Sequence, residues 1–146
     1  MIGLDTNILV HAVREELPYH AEARTLLSQL ATGDDPWAIP WPCVYEFLRV
    51  VTHPRIFHPP SPLEPTVDTL QALFASPSLH LLGNGLLHVG HWRQCMIEGR
   101  AVGRMAHDAH IAALALEHGV RELWTRDRDF RRFPGLRVRD PFANPP

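Results

Sequence analysis

The amino-acid sequence predicts an α/β protein, a three-layer α/β/α sandwich with a central, mostly parallel sheet. Short apolar segments of strand length alternate along the chain with longer segments that have helical spacing, and this alternation is typical of a parallel sheet covered by helices. The chain has 146 residues, which is the size of one domain with a substantial core. We therefore expect a single domain over residues 1–146.

Five apolar segments of three to five residues have the length of buried strands. Turn-forming residues at positions 32–36 (TGDDP) precede the second of these segments. The predicted strands are Met1–Leu4, Trp37–Ile39, Leu79–Leu82, Val120–Trp124 and Leu136–Val138.

The segments between these strands carry helical signals. In His20–Leu30, apolar residues at positions 23, 26, 27 and 30 lie on one face of a helix. Pro42 suits the first turn of a helix, and Gly119 is a typical residue at a helix end. Four prolines between positions 53 and 62 predict a long loop there. The predicted helices are Asn7–Val13, His20–Leu30, Pro42 to about Thr52, Thr66–Ala75, Leu86–Glu98 and His110–His118.

The composition is that of a globular protein in a reducing compartment. Hydrophobic residues make up 45% of the chain and charged residues 21%, and no apolar run approaches the roughly 20 residues that span a membrane. Cys43 and Cys95 are far apart and form neither a disulfide nor a zinc pattern, and the ten histidines also lack zinc-site spacing. With no signal peptide before the first strand, we expect a cytoplasmic protein with no membrane contact.

Basic residues are distributed unevenly along the chain. The formal net charge of −2 gives no general signal for nucleic-acid binding. All 14 basic residues other than histidine are arginines, and seven of them fall between Arg121 and Arg139. This segment could guide a phosphate-bearing substrate, because guanidinium groups match phosphate geometry. It could equally be a solvated edge of the protein.

Four carboxylates lie where apolar segments begin or end: Asp5, Glu46, Asp108 and Asp127. The carboxyl ends of parallel strands open into one crevice, so we expect these acids to converge there. Carboxylates in one pocket repel each other and raise the pKa of at least one member, unless a divalent cation neutralises them. The pattern therefore predicts a Mg²⁺ (or Mn²⁺) site that is used for chemistry.

In order and spacing, these residues resemble the PIN domain, and within it the VapC toxins of bacterial toxin–antitoxin pairs. The resemblance rests on LDTN at 4–7, Glu46 in the helix after Pro42, HDA at 107–109 and TRDRDF at 125–130. It implies an α/β/α sandwich, an acidic pocket that binds Mg²⁺ or Mn²⁺, and endoribonuclease activity on RNA. It also implies a VapB-like antitoxin as partner and frequent homodimerisation.

On this resemblance the four acids occupy the catalytic positions. We expect Asp5 and Asp108 to be the principal metal ligands, directly or through water. Glu46 and Asp127 are expected to complete the pocket, to position the attacking water or to hold a second ion. Each acid also has an ordinary structural alternative, since Asp5 and Asp108 could cap helices and Glu46 could stabilise a helix dipole.

Three further residues are expected to support the pocket. Asn7 and Thr125 match polar positions of the family and are predicted to orient the carboxylates, although both could be local turn-formers. Asp129 competes with Asp127 for the pocket; because Asp127 lies nearer the strand end, Asp129 is predicted to bind backbone amides and shape the loop.

Substrate contacts remain open among three other side chains. His107 could touch substrate beside Asp108. Trp37 and Trp41 could stack on a base, or could pack in the core or in an antitoxin groove.

The favoured function is a metal-dependent endoribonuclease that acts as the toxin of a type II toxin–antitoxin pair. A catalytically silent PIN-like module that binds RNA or protein would typically lack pocket acids, whereas this chain has all four. A phosphatase or phosphoacceptor domain would use a lysine partner, and the chain contains no lysine. A free-standing RNA-processing nuclease would use the same acids and stays an alternative.

Overall fold

The structure, a computed structural model, describes residues 1–143 and is built around a five-stranded sheet. All neighbouring strands pair in parallel, in the order β3-β2-β1-β4-β5. The strands are β1 (Ile2–Leu4), β2 (Trp37–Pro40), β3 (Leu79–Leu82), β4 (Glu122–Trp124) and β5 (Val138–Arg139).

Helices follow the strands and cover the sheet, which confirms the predicted three-layer α/β/α fold. A short 3₁₀ helix, Arg128–Arg132, follows β4. The α-helices of the described residues are α1 (Thr6–Val13), α2 (His20–Thr32), α3 (Trp41–Val51), α4 (Leu63–Phe74), α5 (His88–Glu98) and α6 (Met105–Glu117). None of the helices within residues 1–143 is long and apolar enough to cross a membrane.

Each predicted strand and helix is present, although several boundaries differ, among them the start of α4 at Leu63 rather than Thr66. The last strand begins at Val138, because Val138 and Arg139 form the register with Leu123 and Trp124. Helix α6 begins at Met105 rather than near position 110, since Gly103 adopts a positive φ of 59° immediately before its first turn. Asp108 therefore lies inside the first turn and is not the helix cap.

The strand order creates one distinctive position at the carboxyl edge of the sheet. The chain builds β1, β2 and β3 outward in one direction, then returns to place β4 on the other side of β1. Ligands of open α/β sheets bind at such a reversal point, outside the carboxyl ends of the strands. The residues that follow β1 and β4 are held together there, because the amide of Asp5 donates to the carbonyl of Trp124 at 3.1 Å.

The core lies between the sheet and its helices and contains Trp37. This side chain is fully buried, and its indole Nε1 donates to Ser78 Oγ at 3.2 Å. Trp37 is therefore a core residue, which removes it from the candidates for base stacking. Trp41, four residues later, remains partly exposed.

Candidate active site

Asp5 lies at the centre of the crevice, between the end of β1 and the start of α1. It is only 5% exposed, and both of its carboxylate oxygens accept hydrogen bonds. Oδ1 accepts from the backbone amide of Thr6 at 2.7 Å, so Asp5 also caps α1. The structural alternative, a helix cap, is therefore confirmed for Asp5, and it leaves the side chain at the centre of the crevice.

The other oxygen of Asp5 is held by the two predicted supporting residues. Oδ2 accepts from Thr125 Oγ1 at 2.6 Å and from Asn7 Nδ2 at 2.6 Å. Asn7 Nδ2 also donates to Thr125 Oγ1 at 2.8 Å, and Asn7 Oδ1 accepts from the amide of Arg126 at 3.1 Å. The DTN segment after β1 and the residues after β4 therefore form one network that fixes the Asp5 carboxylate.

Glu46 enters the crevice from the second turn of α3, which follows β2 without a loop. Its Oε2 accepts from Thr6 Oγ1 at 3.2 Å and lies 3.3 Å from His107 Nε2 of α6. Its Oε1 lies 3.5 Å from Arg49 Nη2. Glu46 is thus joined to α1 by a hydroxyl group and to α6 by an imidazole.

Asp108 projects from the first turn of α6, one residue after His107. The N-cap position of this helix is Arg104, which makes no side-chain capping bond. The capping alternative for Asp108 is therefore wrong, and its carboxylate lines the crevice instead.

The two acids after β4 have roles that sequence reasoning assigned only in part. Asp127 lines the crevice as predicted, and its Oδ1 accepts from the amide of Asp129 at 2.8 Å, which caps the 3₁₀ helix. The side chain of Asp129 is 43% exposed and lies 3.9 Å from Arg132 Nη2. The prediction that Asp129 binds backbone amides and shapes the loop is therefore wrong, because that bond is made by Asp127.

The four acids open into one cavity of about 1110 Å³. Its walls also carry aromatic and cationic side chains from α3 and α6. The arginines that line it are Arg49 and Arg104, so none of the seven arginines between 121 and 139 forms its wall. Three of those seven instead pair with acids elsewhere, Arg126 with Asp140, Arg132 with Asp129 and Arg139 with Glu122.

The carboxylates influence each other electrostatically. Burial raises the pKa of Asp5 to about 6, the hydrogen bonds from Thr125 and Thr6 oppose this, and the charges of Glu46 and Asp108 add to it. Burial and the charge of Asp127 raise the pKa of Asp108. The prediction that at least one pocket acid has a raised pKa is thus confirmed.

The contact between Glu46 and His107 changes the pKa of both groups, in opposite directions. Contact with His107 lowers the pKa of Glu46, against the effect of burial. Contact with Glu46 raises the pKa of His107. This pair therefore favours an ionised carboxylate next to a protonated imidazole inside the acidic cavity.

The donor set fits a hard divalent cation that keeps much of its water. Carboxylate oxygens are the ligands that Mg²⁺ prefers, and one or two of them suffice because several waters remain bound. Within residues 1–143 no three His, Cys, Asp or Glu side chains lie close enough together to bind one ion directly. Mutual repulsion of Asp5, Glu46 and Asp108 nevertheless favours a cation between them.

Sequence reasoning did not find two of the contacts to this site. Thr6 bridges Asp5 and Glu46 through its amide and hydroxyl groups; its place between two recognised motif residues was the available signal. The thiol of Cys43 lies 3.7 Å from Asp5 Oδ1. Nothing in the sequence separated Cys43 from an ordinary core cysteine.

Comparisons with known proteins agree with this geometry. The family model of the PIN domain matches residues 2–136. Ribonuclease VapC48 of Mycobacterium tuberculosis is 36% identical over 141 residues, which are 95% of this chain and 96% of the relative. Ribonuclease VapC43 of the same organism is 39% identical over 141 residues, 97% of this chain and 95% of the relative. The chain therefore belongs to the PIN domain family, among the VapC ribonucleases.

Solved structures with the same fold include VapBC2 from Rickettsia felis bound to a DNA fragment from their promoter. Its matching chain has a TM-score of 0.69 and 21% identity, with 95% of this chain and 98% of that chain covered. VapC20 of Mycobacterium tuberculosis, a sarcin–ricin loop cleaving toxin, has a TM-score of 0.64 and 14% identity, with coverage of 90% and 93%. At these identities the likeness concerns the fold.

Proposed function

We propose that the protein is a metal-dependent endoribonuclease that hydrolyses RNA phosphodiester bonds as the toxin of a type II toxin–antitoxin pair. The observation that carries this proposal is the convergence of Asp5, Glu46, Asp108 and Asp127 on one cavity. It is supported by relatives named VapC ribonucleases that match nearly the whole chain. An RNA substrate would place the protein's action in the cytoplasm.

The four acids would divide the work of the site. Asp5 and Asp108 would hold Mg²⁺ or Mn²⁺, because Asp5 is the most rigidly oriented acid and both have raised pKa values that a cation would relieve. When bound, the cation activates water and stabilises the charge on the leaving oxygen. Glu46 and Asp127 would complete the cavity and orient the attacking water or hold a second ion.

The supporting residues would act by fixing the Asp5 carboxylate. Thr125 and Asn7 bind the same oxygen of Asp5, which leaves the carboxylate few alternative orientations. His107, in its protonated form, would present positive charge to the scissile phosphate next to the ionised Glu46. The cavity thus combines anionic groups that bind a cation with a cationic group that meets the substrate.

A VapB-like antitoxin is the proposed protein partner, since the solved structures with this fold include VapBC pairs. An antitoxin arginine could occupy the acidic cavity, because one guanidinium group binds a carboxylate through two hydrogen bonds. A homodimer of the toxin is proposed as the assembly that such an antitoxin recognises.

The test is cleavage of total cellular RNA by the purified protein, with Mg²⁺, with Mn²⁺ and with a chelator, followed by mapping of the new RNA ends. We expect discrete cuts with either metal and none with the chelator. Expression of the chain alone should arrest growth, and co-expression of an antitoxin from an adjoining reading frame should restore it. Cleavage without growth arrest or an antitoxin would favour the free-standing nuclease, and absence of cleavage would favour the silent binding module.

A further inference from the structure

Helix α3 presents a continuous stripe of three side chains along one wall of the carboxylate cavity. Trp41, Tyr45 and Arg49 are spaced by four residues, so they lie above one another on the same helix face. All three line the cavity that contains the four acids. Glu46 follows Tyr45 directly in the chain, so the stripe runs beside the proposed cleavage site.

The two aromatic rings of the stripe contact neighbouring rings but remain exposed to solvent. The Trp41 ring meets the Phe74 ring edge-on, with centroids 5.8 Å apart and planes at 66°, which holds the indole in place. The centroids of the Tyr45 and Trp41 rings are 5.9 Å apart and the ring planes meet at 33°. The two rings therefore lie next to each other on one surface. Trp41 is 37% exposed and Tyr45 is 67% exposed.

Arg49 extends the stripe with a positive charge. Its guanidinium is exposed, and the contact that it makes with Glu46 is a single 3.5 Å approach. Exposed ion pairs of this kind contribute little to stability, so the guanidinium can exchange Glu46 for another anion at small cost. A phosphate group would gain a bidentate partner at this position.

An aromatic pair followed by arginine is the arrangement that binds successive bases and the backbone of a single strand. Bases stack on aromatic rings with little dependence on sequence, while arginine meets the phosphates. The cavity volume of about 1110 Å³ far exceeds the need of a hydrated ion and leaves room for nucleotides next to the acids. A paired A-form strand keeps its bases stacked inside the helix, where such rings cannot reach their faces.

We propose that Trp41 and Tyr45 are a stacking platform for unpaired bases next to the cleaved bond, and that Arg49 contacts the adjoining phosphate. On this proposal the three side chains hold an unpaired segment of the RNA, such as a loop, a bulge or an end, beside the acids. This inference rests on the proposed ribonuclease function and adds the residues that select the RNA. It assigns these three residues to binding, with bond cleavage left to the acids.

The test measures binding of short fluorescent RNAs by anisotropy, in an Asp108→Asn background that leaves the RNA uncut. The probes are oligo(A), oligo(U) and a blunt-ended, fully paired RNA duplex. Tyr45→Leu and Trp41→Leu should each raise the Kd of the single strands by roughly 5- to 150-fold, the effect of one lost base–ring contact. Tyr45→Phe and Trp41→Phe keep a ring and should bind nearly as the parent does.

Trp92 supplies the matched control. It is 44% exposed, lies on α5, and does not line the cavity, so Trp92→Leu removes an exposed indole elsewhere and should leave the Kd unchanged. An oligonucleotide with one abasic position beside the cut should lose affinity for the parent protein. If Trp41 or Tyr45 stacks on the missing base, the leucine variant of that residue should bind the abasic oligonucleotide no more weakly than the parent protein does.

Three outcomes would overturn the inference: single strands bind the leucine variants as tightly as the parent, the paired duplex binds as well as the single strands, or the variants weaken only antitoxin binding or dimerisation. The first outcome together with Mg²⁺-dependent cleavage by the wild type would leave the proposed function intact. Loss of RNA binding in the leucine variants, with no cleavage by the wild type under any metal, would support the platform and contradict the ribonuclease.

Discussion

Replacing Asp5 with asparagine should change how the stability of the metal-free protein depends on pH. Burial raises the pKa of Asp5 to about 6 from its ordinary value of 3.8, so the folded protein binds this proton more tightly than the unfolded chain does. The protonated carboxyl therefore contributes stability at low pH. That contribution is lost as the pH rises from about 4 through the folded-state pKa near 6.

The magnitude follows from the two pKa values. At about 1.36 kcal/mol per pH unit, the difference between 3.8 and about 6 corresponds to roughly 3 kcal/mol of stability lost at neutral pH. The asparagine side chain carries no charge, so the Asp5→Asn variant does not lose this stability as the pH rises. It also disturbs the bonds that Asp5 accepts from Thr6, Asn7 and Thr125, at about 1–3 kcal/mol, but this second effect does not depend on pH.

The assay is denaturant unfolding of wild type and Asp5→Asn from about pH 4 to about pH 7.5, with a chelator present. Across this range the free energy of unfolding of the wild type should fall relative to the variant by about 2–3 kcal/mol. Asp129→Asn is the control, because Asp129 is half-exposed and outside the cavity, and it should follow the wild type. At neutral pH, Mg²⁺ should stabilise the wild type by mass action and the Asp5→Asn variant much less. Parallel curves for wild type and Asp5→Asn would refute the raised pKa of the buried Asp5 carboxyl.

Three further substitutions test other contacts of the site. Asp127→Ala should lose cleavage and also lower the free energy of unfolding by about 0.5–2 kcal/mol through the lost cap, whereas Asp127→Asn should lose cleavage and keep most of the stability; the reverse pattern in the two assays would contradict this double role. His107→Gln should raise the pKa of Glu46 in the metal-free protein, followed by carbon NMR of the carboxyl group, since His107 is the main cause of its lowered value; an unchanged titration would show that the pair does not form. Thr125→Val should cost about 1–3 kcal/mol and raise the pKa of Asp5 further, because the Thr125 hydroxyl donates to Asp5 at 2.6 Å; calorimetry that shows no loss would exclude this bond.

The strands and helices could be predicted because their signals are local and periodic. Parallel strands buried on both faces appear as short continuous apolar runs, as in Trp37–Pro40, where all four residues are buried. The amphipathic spacing of His20–Leu30 likewise marked α2. From the strand order of an α/β sheet, the convergence of Asp5 and Asp127 then follows, since Asp5 comes directly after β1 and Asp127 three residues after the end of the neighbouring β4.

The start of α6 illustrates what local signals do not determine. Aspartate is a favoured N-cap residue, and Asp108 lies before a clear helical run, so the sequence left a helix cap open as the alternative to a metal ligand. The helix begins three residues earlier, at Met105, where no side chain caps it. The structure excludes the cap and places Asp108 inside the first turn, where it lines the cavity with the other acids as the pattern of acids predicted.

The pairs Asp127/Asp129 and Trp37/Trp41 show a second limit. In each pair two identical residues stand a few positions apart, and composition cannot tell which one is buried or which one faces the cavity. The distinction depends on side-chain direction relative to the sheet. Sequence reasoning placed Asp127 correctly by its distance from β4, but it left the role of Asp129 wrong and the two tryptophans undecided.

The most direct test of the central claim, that these acids form one metal-dependent RNA-cleaving site, is a cleavage assay with matched acid variants. Wild type, Asp5→Asn and Asp129→Asn would each be purified, checked for folding, and incubated with the same RNA over a range of Mg²⁺ concentrations. We expect Asp5→Asn to abolish cleavage at every Mg²⁺ concentration and Asp129→Asn to cleave as the wild type does. Undiminished cleavage by folded Asp5→Asn, or cleavage by the wild type that persists in a chelator, would contradict the central claim.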